Sequence, residues 1–245
     1  MARKKASTSK ALVNVDQELQ KELESFKERL GSSEKSAISI RDKVFTFPDG
    51  SIVDGAPLEV VIIDFINWNQ YYESDWDPKN PSPPACFAYD RVLSKMAPSD
   101  NAPNKQNPTC AGCEMNEFGS GKNDSKACKN QRRIVVMRPD DDPTEGPLFT
   151  ITVPPASIKK YDGYVNSVAR VFQAPPLKVI TSIYFHPETT YPSLLFGNPK
   201  ENPNYALHYQ RRGEAEELLT AEPDVTMYEP PAPKRNVRRK AAAKR

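Results

Sequence analysis

Four cysteines constrain the fold of this chain most strongly, because their spacing is typical of a metal site that closes a loop. Cys110 and Cys113 form a Cys-x-x-Cys pair, Cys128 follows, and Cys86 lies upstream. Four thiolates satisfy a tetrahedral zinc ion and leave no open position, so a site of this kind is structural rather than catalytic. We therefore predict one structural Zn²⁺ per chain, held by Cys86, Cys110, Cys113 and Cys128.

Disulfides and free thiols are the alternatives to zinc. The chain shows no signal-peptide pattern and no apolar run of about twenty residues, so we expect a soluble protein in a reducing cytosol, without membrane contact. Thiols in that compartment are usually free or metal-bound. Three cysteines within nineteen residues argue against unliganded thiols. His186 and His208 lie far downstream, and we expect hydrogen-bonded structural roles for them rather than zinc ligation.

The charge of the chain is balanced in sum but uneven along the sequence. The formal net charge is +2, yet seven of the last twelve residues are Lys or Arg and the N-terminus is also basic. A further basic cluster surrounds the last cysteine. A polyanionic partner would contact these basic patches, whatever the nearly neutral net charge of the whole chain. The cluster consists of Lys122, Lys126, Lys129, Arg132 and Arg133.

The pattern of residues divides the chain into four parts. Residues 1–15 are predicted to be a disordered basic arm. Residues 16–31 carry apolar positions at helical spacing and end at a glycine, which predicts an amphipathic helix. We expect one domain over residues 37–220, with the zinc loop at about 74–131. Residues 221–245 are predicted to be a disordered, Pro-rich basic tail.

Apolar residues alternate with period two through most of the central region, which predicts β-strands. The longest run, 58–66, is β-branched enough for a central strand, and a helix is predicted over 157–168 and another near 205–220. We expect a mainly β (α+β) fold. Its predicted form is an OB-fold-like antiparallel barrel or curved sheet with an inserted zinc-binding loop and flanking helices.

Binding of a single nucleic-acid strand requires cations along the phosphates and aromatic rings on which bases stack. Aromatic residues follow the longest predicted strand and flank the cysteines, although for any single ring a place in the core is the commoner role. Amides and carboxylates surround Trp68, Tyr71 and Tyr72, which suggests that these rings are exposed. The predicted nucleic-acid-binding residues are Trp68, Tyr71, Tyr72, Trp76, Phe118, Lys122, Lys126, Lys129, Arg132 and Arg133.

Motifs for catalysis are missing from the sequence. We find no Gly-rich phosphate loop, no supported Cys-His or Ser-His-Asp arrangement, and no paired acidic motif for two magnesium ions. Asp140, Asp141 and Asp142 are better explained as a solvated turn. We therefore expect a protein that is not an enzyme.

Several segments together resemble a family of tailed-phage single-stranded-DNA-binding proteins. The resemblance covers most of residues 37–200 and rests on PPACFAYD, PTCAGCEMNEFGSG, KACKNQRRIVV, LFTITVPPASIKKYDGYV and YPSLLFGNP. It implies an OB-like core, the four cysteines as zinc ligands, and a non-catalytic role coating unwound DNA in replication, recombination or repair. The implied location is the cytoplasm of an infected bacterial host.

The termini modify this expectation. The segment Arg3–Thr8 is similar to the N-terminal motif through which helix-destabilising proteins of T-even phages bind their neighbours cooperatively, which implies possible self-association along the strand. Many such proteins end in an acidic tail that recruits replication proteins, whereas residues 230–245 here are basic. The basic tail favours extra phosphate contacts over recruitment of those proteins.

Two other functions compete with DNA coating. The chain could be a zinc-stapled structural or protein-interaction factor in virion assembly, or an accessory factor in transcription or replication. A strong preference for single-stranded over duplex DNA is expected only of the first function. The coincidence of aromatic and basic residues in one region favours it.

Overall fold

A computed structural model describes residues 36–75, 77 and 82–230 of this chain. Three predictions lie outside these residues: the basic arm at 1–15, the amphipathic helix at 16–31, and the stacking role of Trp76. The last part of the predicted tail, residues 231–245, also lies outside them.

The larger sheet is built around one long strand. Strand β4 (Leu58–Tyr71) pairs antiparallel along one edge with β6 (Lys129–Met137), which pairs in turn with β7 (Phe149–Val153). Its other edge is shared: β8 (Val179–Phe185) pairs with the first part of β4, and β5 (Cys86–Asp90) pairs with the last part. Strand β9 (Leu194–Glu201) completes the sheet beside β8.

A second, three-stranded sheet precedes the first one in sequence. It consists of β1 (Ser39–Arg41), β2 (Val44–Thr46) and β3 (Ile52–Val53), all antiparallel. A parallel bridge between Ala37 and Thr150 joins its entry to the edge of β7. The two sheets therefore share one hydrophobic core on the β7 side.

Helices cover both faces of the larger sheet. Helix α1 (Ile158–Phe172) follows β7, and the short helices α2 (Tyr205–Gln210) and α3 (Arg212–Thr220) follow β9. Tyr161 of α1 lies in one core cluster, whereas Leu219 of α3 lies in another. The helix predicted near 205–220 is confirmed in position but is divided into two.

Alternation along β4 explains why its sequence is apolar at almost every position. Side chains of a strand point to opposite faces in turn. Val60 and Ile62 belong to the core cluster shared with α1 and the small sheet, while Val61 and Ile63 belong to the cluster shared with α3. A strand buried on both faces must be apolar on both, so the run at 58–66 predicts a central strand correctly.

The predicted fold class is confirmed in its coarse form. The described residues form a mainly β structure of antiparallel sheets with a few helices. The order of the larger sheet, β7-β6-β4-β8-β9 with β5 beside β4, does not close on itself, so the described strands form no closed barrel. Strands β7 and β9 are the two outer edges of this open sheet.

The chain beyond α3 begins with the described part of the predicted tail, residues 221–230. Residues 221–230 contain no helix or strand, but they follow the surface of the domain with specific contacts. The Glu222 carboxylate accepts hydrogen bonds from Tyr89, Ser99 and Asn101, and Tyr228 donates its hydroxyl to Glu73. We call residues 221–228 the strap.

Candidate nucleic-acid interface

The four cysteines meet at the polar end of β4. Cys86 begins β5 and pairs with Tyr71, and Cys128 directly precedes Lys129, which pairs with Gln70 on the other edge of β4. Neighbouring strands lie about 4.8 Å apart, so the backbones of Cys86 and Cys128 flank β4 at about 10 Å from each other. The loop that carries Cys110 and Cys113 covers this gap.

All four cysteines line one small cavity. Its volume is about 20 Å³, and a cavity of about 10–15 Å³ is the minimum that holds one water molecule. Each of the four cysteines is a free thiol rather than half of a disulfide. The cavity has the size and the donor chemistry for one soft metal ion.

Burial and mutual proximity shift the pKa values of these thiols. Burial, followed by the charges of the other cysteines, raises the pKa of Cys128 to about 12. Burial also raises the pKa of Cys110 to about 11 against a hydrogen bond from Asn69, and Cys86 shifts in the same direction. Because Cys86, Cys110 and Cys128 resist ionisation, they need a nearby cation to become thiolates, which is the chemistry of a metal site.

The side chains do not yet form a ligand set in this conformation. Within residues 36–75, 77 and 82–230, no three His, Cys, Asp or Glu side chains make a group that could hold a metal ion as they stand. Coordination of one ion by the four cysteines would therefore require their side chains to rearrange around the shared cavity.

A chain of amides holds the cysteine loop on the sheet. Asn130 of β6 donates to the side-chain oxygens of Asn69 and Asn116, at 2.9 Å each. Asn116 in turn donates to the carbonyl of Cys110 at 3.0 Å. These three asparagines were missed from the sequence, although two asparagines inside otherwise apolar or basic strands are unusual enough to have marked them.

A larger cleft lies beside the cysteine loop and combines cations with an aromatic ring. Its volume is about 450 Å³, and its lining includes Tyr72, Lys122 and Lys129. Tyr72 is 37% exposed. Three of the ten predicted nucleic-acid-binding residues therefore come together in one open site.

Tyr71 and Tyr72 are neighbours in sequence but line different sites. Tyr71 lines the cysteine cavity and is only half-exposed, whereas Tyr72 lines the cleft. Strand alternation at the end of β4 explains the separation. Burial, and then the charges of Glu73 and Cys113, raise the pKa of Tyr71.

The loop after the Cys-x-x-Cys pair carries two further predicted nucleic-acid-binding residues, Phe118 and Lys126. Phe118 is 81% exposed, and the Nζ atom of Lys126 lies 5.1 Å from the centre of its ring. The turn that follows requires glycine at position 121, because a Cβ there would lie 2.9 Å from the backbone of Lys126 and Ala127. This turn places Gly121 and Lys122 in the wall of the cleft.

The prediction that Trp68 is exposed is wrong. Trp68 is 1% exposed and stacks on Tyr89, with ring centres 5.3 Å apart. The guanidinium of Arg133 lies 3.4 Å from the indole centre and donates to the carbonyls of Leu219 and Ala221. The amide neighbours that suggested exposure are themselves buried, so Trp68 is a core residue in this conformation.

Both arginines after the last cysteine, Arg132 and Arg133, interact with other groups of the protein. Arg132 is 6% exposed and pairs with Asp162 of α1 at 2.9 Å. Burial lowers the pKa of Arg133, which the indole and the α3 carbonyls surround. Neither guanidinium is free to contact phosphates here, because each has a protein partner.

The histidines have the structural roles expected of them. His208 is buried, and its Nδ1 lies 3.0 Å from the side-chain amide of Asn202. The Nδ1 atom of His186 accepts from the Glu188 amide at 3.3 Å. Both lie outside the lining of the cysteine cavity.

Helices of the described residues are too short or too polar to cross a membrane. Comparison with family models, with curated proteins and with solved structures gave no match to this chain.

Proposed function

We propose that this protein is a non-catalytic single-stranded-DNA-binding protein whose contact site is the cleft lined by Tyr72, Lys122 and Lys129. The observation that carries this proposal is the meeting of a partly exposed ring and two lysines in one open cleft of about 450 Å³. The ring offers a face to an unpaired base, and the lysines offer positive charge to the flanking phosphates. Sequence-tolerant binders of single strands combine these two interactions.

Phe118 and Lys126 extend this surface along the same loop. Phe118 is the most exposed large hydrophobic side chain among the described residues, and a lysine already lies over its ring. An exposed ring beside a cation supports a second stacking position, because a base can cover one face while the cation contacts a phosphate. A DNA strand that follows the loop would contact the rings of both Tyr72 and Phe118.

A structural Zn²⁺ held by Cys86, Cys110, Cys113 and Cys128 is part of the proposal. Their common cavity and their mutual effect on thiol pKa values support it. Zinc would supply the positive charge that lets Cys86, Cys110 and Cys128 ionise despite their raised pKa values. The cysteines would thereby hold the loop that carries Phe118 and Lys122 against β4 and β6.

The finer assignments rest on the resemblance described from the sequence. We propose an OB-like relationship for the open sheet, and a role in coating unwound DNA during phage replication, recombination or repair, in the cytoplasm of an infected bacterial host. Self-association through the basic N-terminal arm and contact with replication proteins belong to the same proposal.

The test is a titration with single-stranded and duplex oligonucleotides over a range of salt, with and without a strong chelator. We expect tighter binding to single strands and a steep fall in affinity with salt. Tyr72→Ala should weaken single-strand binding by about 5- to 150-fold, because stacking contributes about 1–3 kcal/mol per base. Equal affinity for single strands and duplex would contradict the proposal.

Matched controls separate the cleft from general effects on the surface. Tyr191 is 54% exposed and lies outside the lining of the cleft, so Tyr191→Ala should leave affinity unchanged. Lys95 is exposed on the loop after β5, and Lys95→Ala controls for the charge removed by Lys122→Ala or Lys129→Ala. Tryptophan fluorescence is a poor probe of stacking at Trp68, because that indole is buried.

A protein-interaction factor remains the second candidate, and one surface favours it. Helix α2 exposes Tyr205 and Tyr209, which lie about one turn apart, and also exposes Leu207 on a different face. Aromatic and aliphatic side chains on one short helix are common at protein contacts. Substitution of Leu207 by Asp should leave DNA affinity unchanged under the first function and abolish partner binding under the second.

A further inference from the structure

Part of the wall of the cysteine cavity is a loop that contains no cysteine. This loop, residues 97–109, lies between β5 and Cys110. It contributes to the lining of the cavity Pro98, Gln106, Asn107 and Thr109. Burial raises the pKa of Cys86, and a hydrogen bond from the backbone of Gln106 to this thiol opposes the shift. The position of the loop therefore affects a predicted zinc ligand directly.

The loop 97–109 has little hydrophobic anchorage of its own. Among its residues only Ala102 is buried. The amides of Ser99 and Asn104 donate to backbone carbonyls of β5 and of the residue before it, at 2.9 and 2.7 Å. A segment with few buried apolar contacts opens locally at low cost in free energy, so the position of this loop depends on its hydrogen bonds.

The strap supplies one anchor near the start of this loop. The Glu222 carboxylate accepts hydrogen bonds from Ser99 and Asn101 at 2.5 Å each, and from Tyr89 of β5 at 3.0 Å. Burial opposes ionisation of Glu222, but the three hydrogen bonds outweigh it, so the pKa of this carboxyl lies below its usual value. One carboxylate therefore joins the strap, the loop and the sheet.

A second anchor lies two residues beyond the end of β4. One carboxylate oxygen of Glu73 accepts from the side chain of Asn104 at 2.7 Å, and the other accepts from the Tyr228 hydroxyl at 2.5 Å. Tyr71, two residues before Glu73, lines the cysteine cavity. The strap is therefore bound at both ends on the cavity side of the molecule.

We propose that the strap is a positioning element of the cysteine site: it holds the loop 97–109 against the cavity, keeps the backbone of Gln106 on Cys86, and limits access to the thiols. This inference rests on the proposed function, because that proposal supplies the Zn²⁺. Metal binding and docking of the strap both require the ordered loop, so each must favour the other by the same factor.

Three residues act through the loop rather than on the metal. Glu222, Glu73 and Tyr228 lie outside the lining of the cavity, and each reaches it only through the loop or through another anchor. They are positioning residues, and their substitution should alter both thiol access and metal affinity.

Thiol access in the metal-free, full-length chain tests this closure. The variant Glu222→Ala with Tyr228→Phe releases the strap. Reaction with an aromatic disulfide reagent, followed by mass spectrometry of the labelled peptides, gives the rates at Cys86 and Cys110. Both rates should rise by about fivefold or more, because loss of the anchoring hydrogen bonds raises the population of the open loop. Unchanged rates at both cysteines would overturn the proposal.

Asp224 provides a matched control inside the strap. Its carboxylate accepts hydrogen bonds from Thr226, within the strap. Asp224→Ala therefore removes the same charge as Glu222→Ala without removing an anchor to the loop. It should leave both labelling rates within about twofold of the parent.

Ser99→Ala with Asn101→Ala removes hydrogen bonds of Glu222 from the loop side, and decides the question if the first variant does not fold. It should accelerate labelling similarly, and adding Glu222→Ala should change little more, because the contact is already lost. Ile62→Ala weakens the whole domain and should not accelerate labelling that occurs by local opening. Equal acceleration by Ile62→Ala would mean that labelling follows global unfolding, and would overturn the proposal.

Zinc affinity separates this inference from the proposed function. The Kd for Zn²⁺, measured by competition with a chromophoric chelator, should rise by about fivefold or more on release of the strap. Faster labelling with an unchanged Kd would overturn the positioning role. If the parent binds no Zn²⁺, the metal part of the proposed function fails, and the labelling rates still decide whether the strap closes the cavity. If the parent binds Zn²⁺ and strap release changes neither quantity, the strap inference alone fails.

Discussion

The two halves of β4 are buried to a similar degree but are stabilised by different interactions. From Leu58 to Ile66 the strand lies between two apolar clusters. From Asn67 onwards it carries two buried amides, with Asn67 5% and Asn69 4% exposed. The first half gains stability from hydrocarbon burial, which has no preferred direction, while the second depends on hydrogen bonds that each need a correctly placed partner.

The second half also carries the candidate sites. Asn67 donates to the carbonyls of Asp90 and Arg91, which fixes the end of β5, and Asn69 fixes the cysteine loop through Asn130. A polar strand end therefore positions a cavity on one face and a cleft on the other. The comparison indicates that the first half determines whether the chain folds, and that the second determines where its functional side chains lie.

Removal of hydrocarbon from the first half should have the largest effect on stability. Ile62 is 1% exposed, and Ile62→Ala should lower the free energy of unfolding by about 2–5 kcal/mol, because it removes buried methyl groups and leaves a cavity. Denaturant unfolding measures this. Ile52 is 63% exposed and is the control, since Ile52→Ala should cost far less. Equal losses would contradict the assignment of the core.

Removal of one amide from the second half should have a smaller and more local effect. Asn130→Ala leaves the side-chain oxygen of Asn69 without its Asn130 donor and leaves that of Asn116 with only the Lys126 ammonium at 3.4 Å, which should cost about 1–3 kcal/mol. Limited proteolysis should show faster cleavage between Cys110 and Cys128 with no change in β4. Asn166→Ala, at an exposed position of α1, controls for the loss of an amide. Unchanged protection of the loop would mean that the amide network does not hold it.

The apolar half of the molecule could be predicted from sequence because the spacing of its apolar residues indicates directly which positions are buried. Period-two alternation and the run at 58–66 identify the strands and the core without knowledge of pairing. Strand order and sheet closure are different, because β4 shares one edge between β8 and β5, whose sequences lie about ninety residues apart. No local pattern contains that division, so the open form of the sheet could not be distinguished from a barrel.

The polar half was harder to predict from sequence, because the same polar residue types occur both at solvent-exposed positions and in buried hydrogen-bond networks. Amides around Trp68 suggested an exposed ring, yet those amides are buried: Asn67 bonds to the end of β5, and Asn69 bonds to Asn130 of β6. Arg132 and Arg133 suggested a basic surface, yet their partners, Asp162 and the end of α3, are distant in sequence. By contrast, the clustering of the cysteines followed from spacing alone.

The pH dependence of stability offers a third way to examine the polar half. In the metal-free protein, the pKa of Cys110 is raised to about 11 and that of Cys128 to about 12, above the usual thiol value of 9.0. A group whose pKa is raised by folding favours the folded state below its unfolded pKa, and this contribution is lost as pH rises through the folded pKa. Stability should therefore fall between pH 9 and 12.

Tyrosines titrate in the same range, so the measurement must be differential. Thermal unfolding of the metal-free parent and of Cys128→Ser should be compared at pH 7.5 and at pH 10.5. The variant should lose less stability with rising pH, because the serine hydroxyl does not ionise there. Parallel losses would show that Cys128 does not contribute to the pH dependence. Zinc should abolish the difference for the parent by holding the thiolates at neutral pH.

The smallest expected effect concerns an ion pair at the cleft. Asp75 accepts from Lys122 at 2.6 Å, and both side chains are highly exposed. A phosphate at Lys122 must compete with this carboxylate, so Asp75→Asn should raise affinity for single strands by about two- to fivefold, within the 1 kcal/mol that exposed pairs contribute. Asp100 pairs with Lys105 at 2.7 Å outside the cleft lining, so Asp100→Asn removes the same charge elsewhere. An equal gain from both variants would reflect net charge alone. A gain confined to Asp75→Asn would instead locate the phosphate at Lys122, where the polar end of β4 meets the cysteine loop.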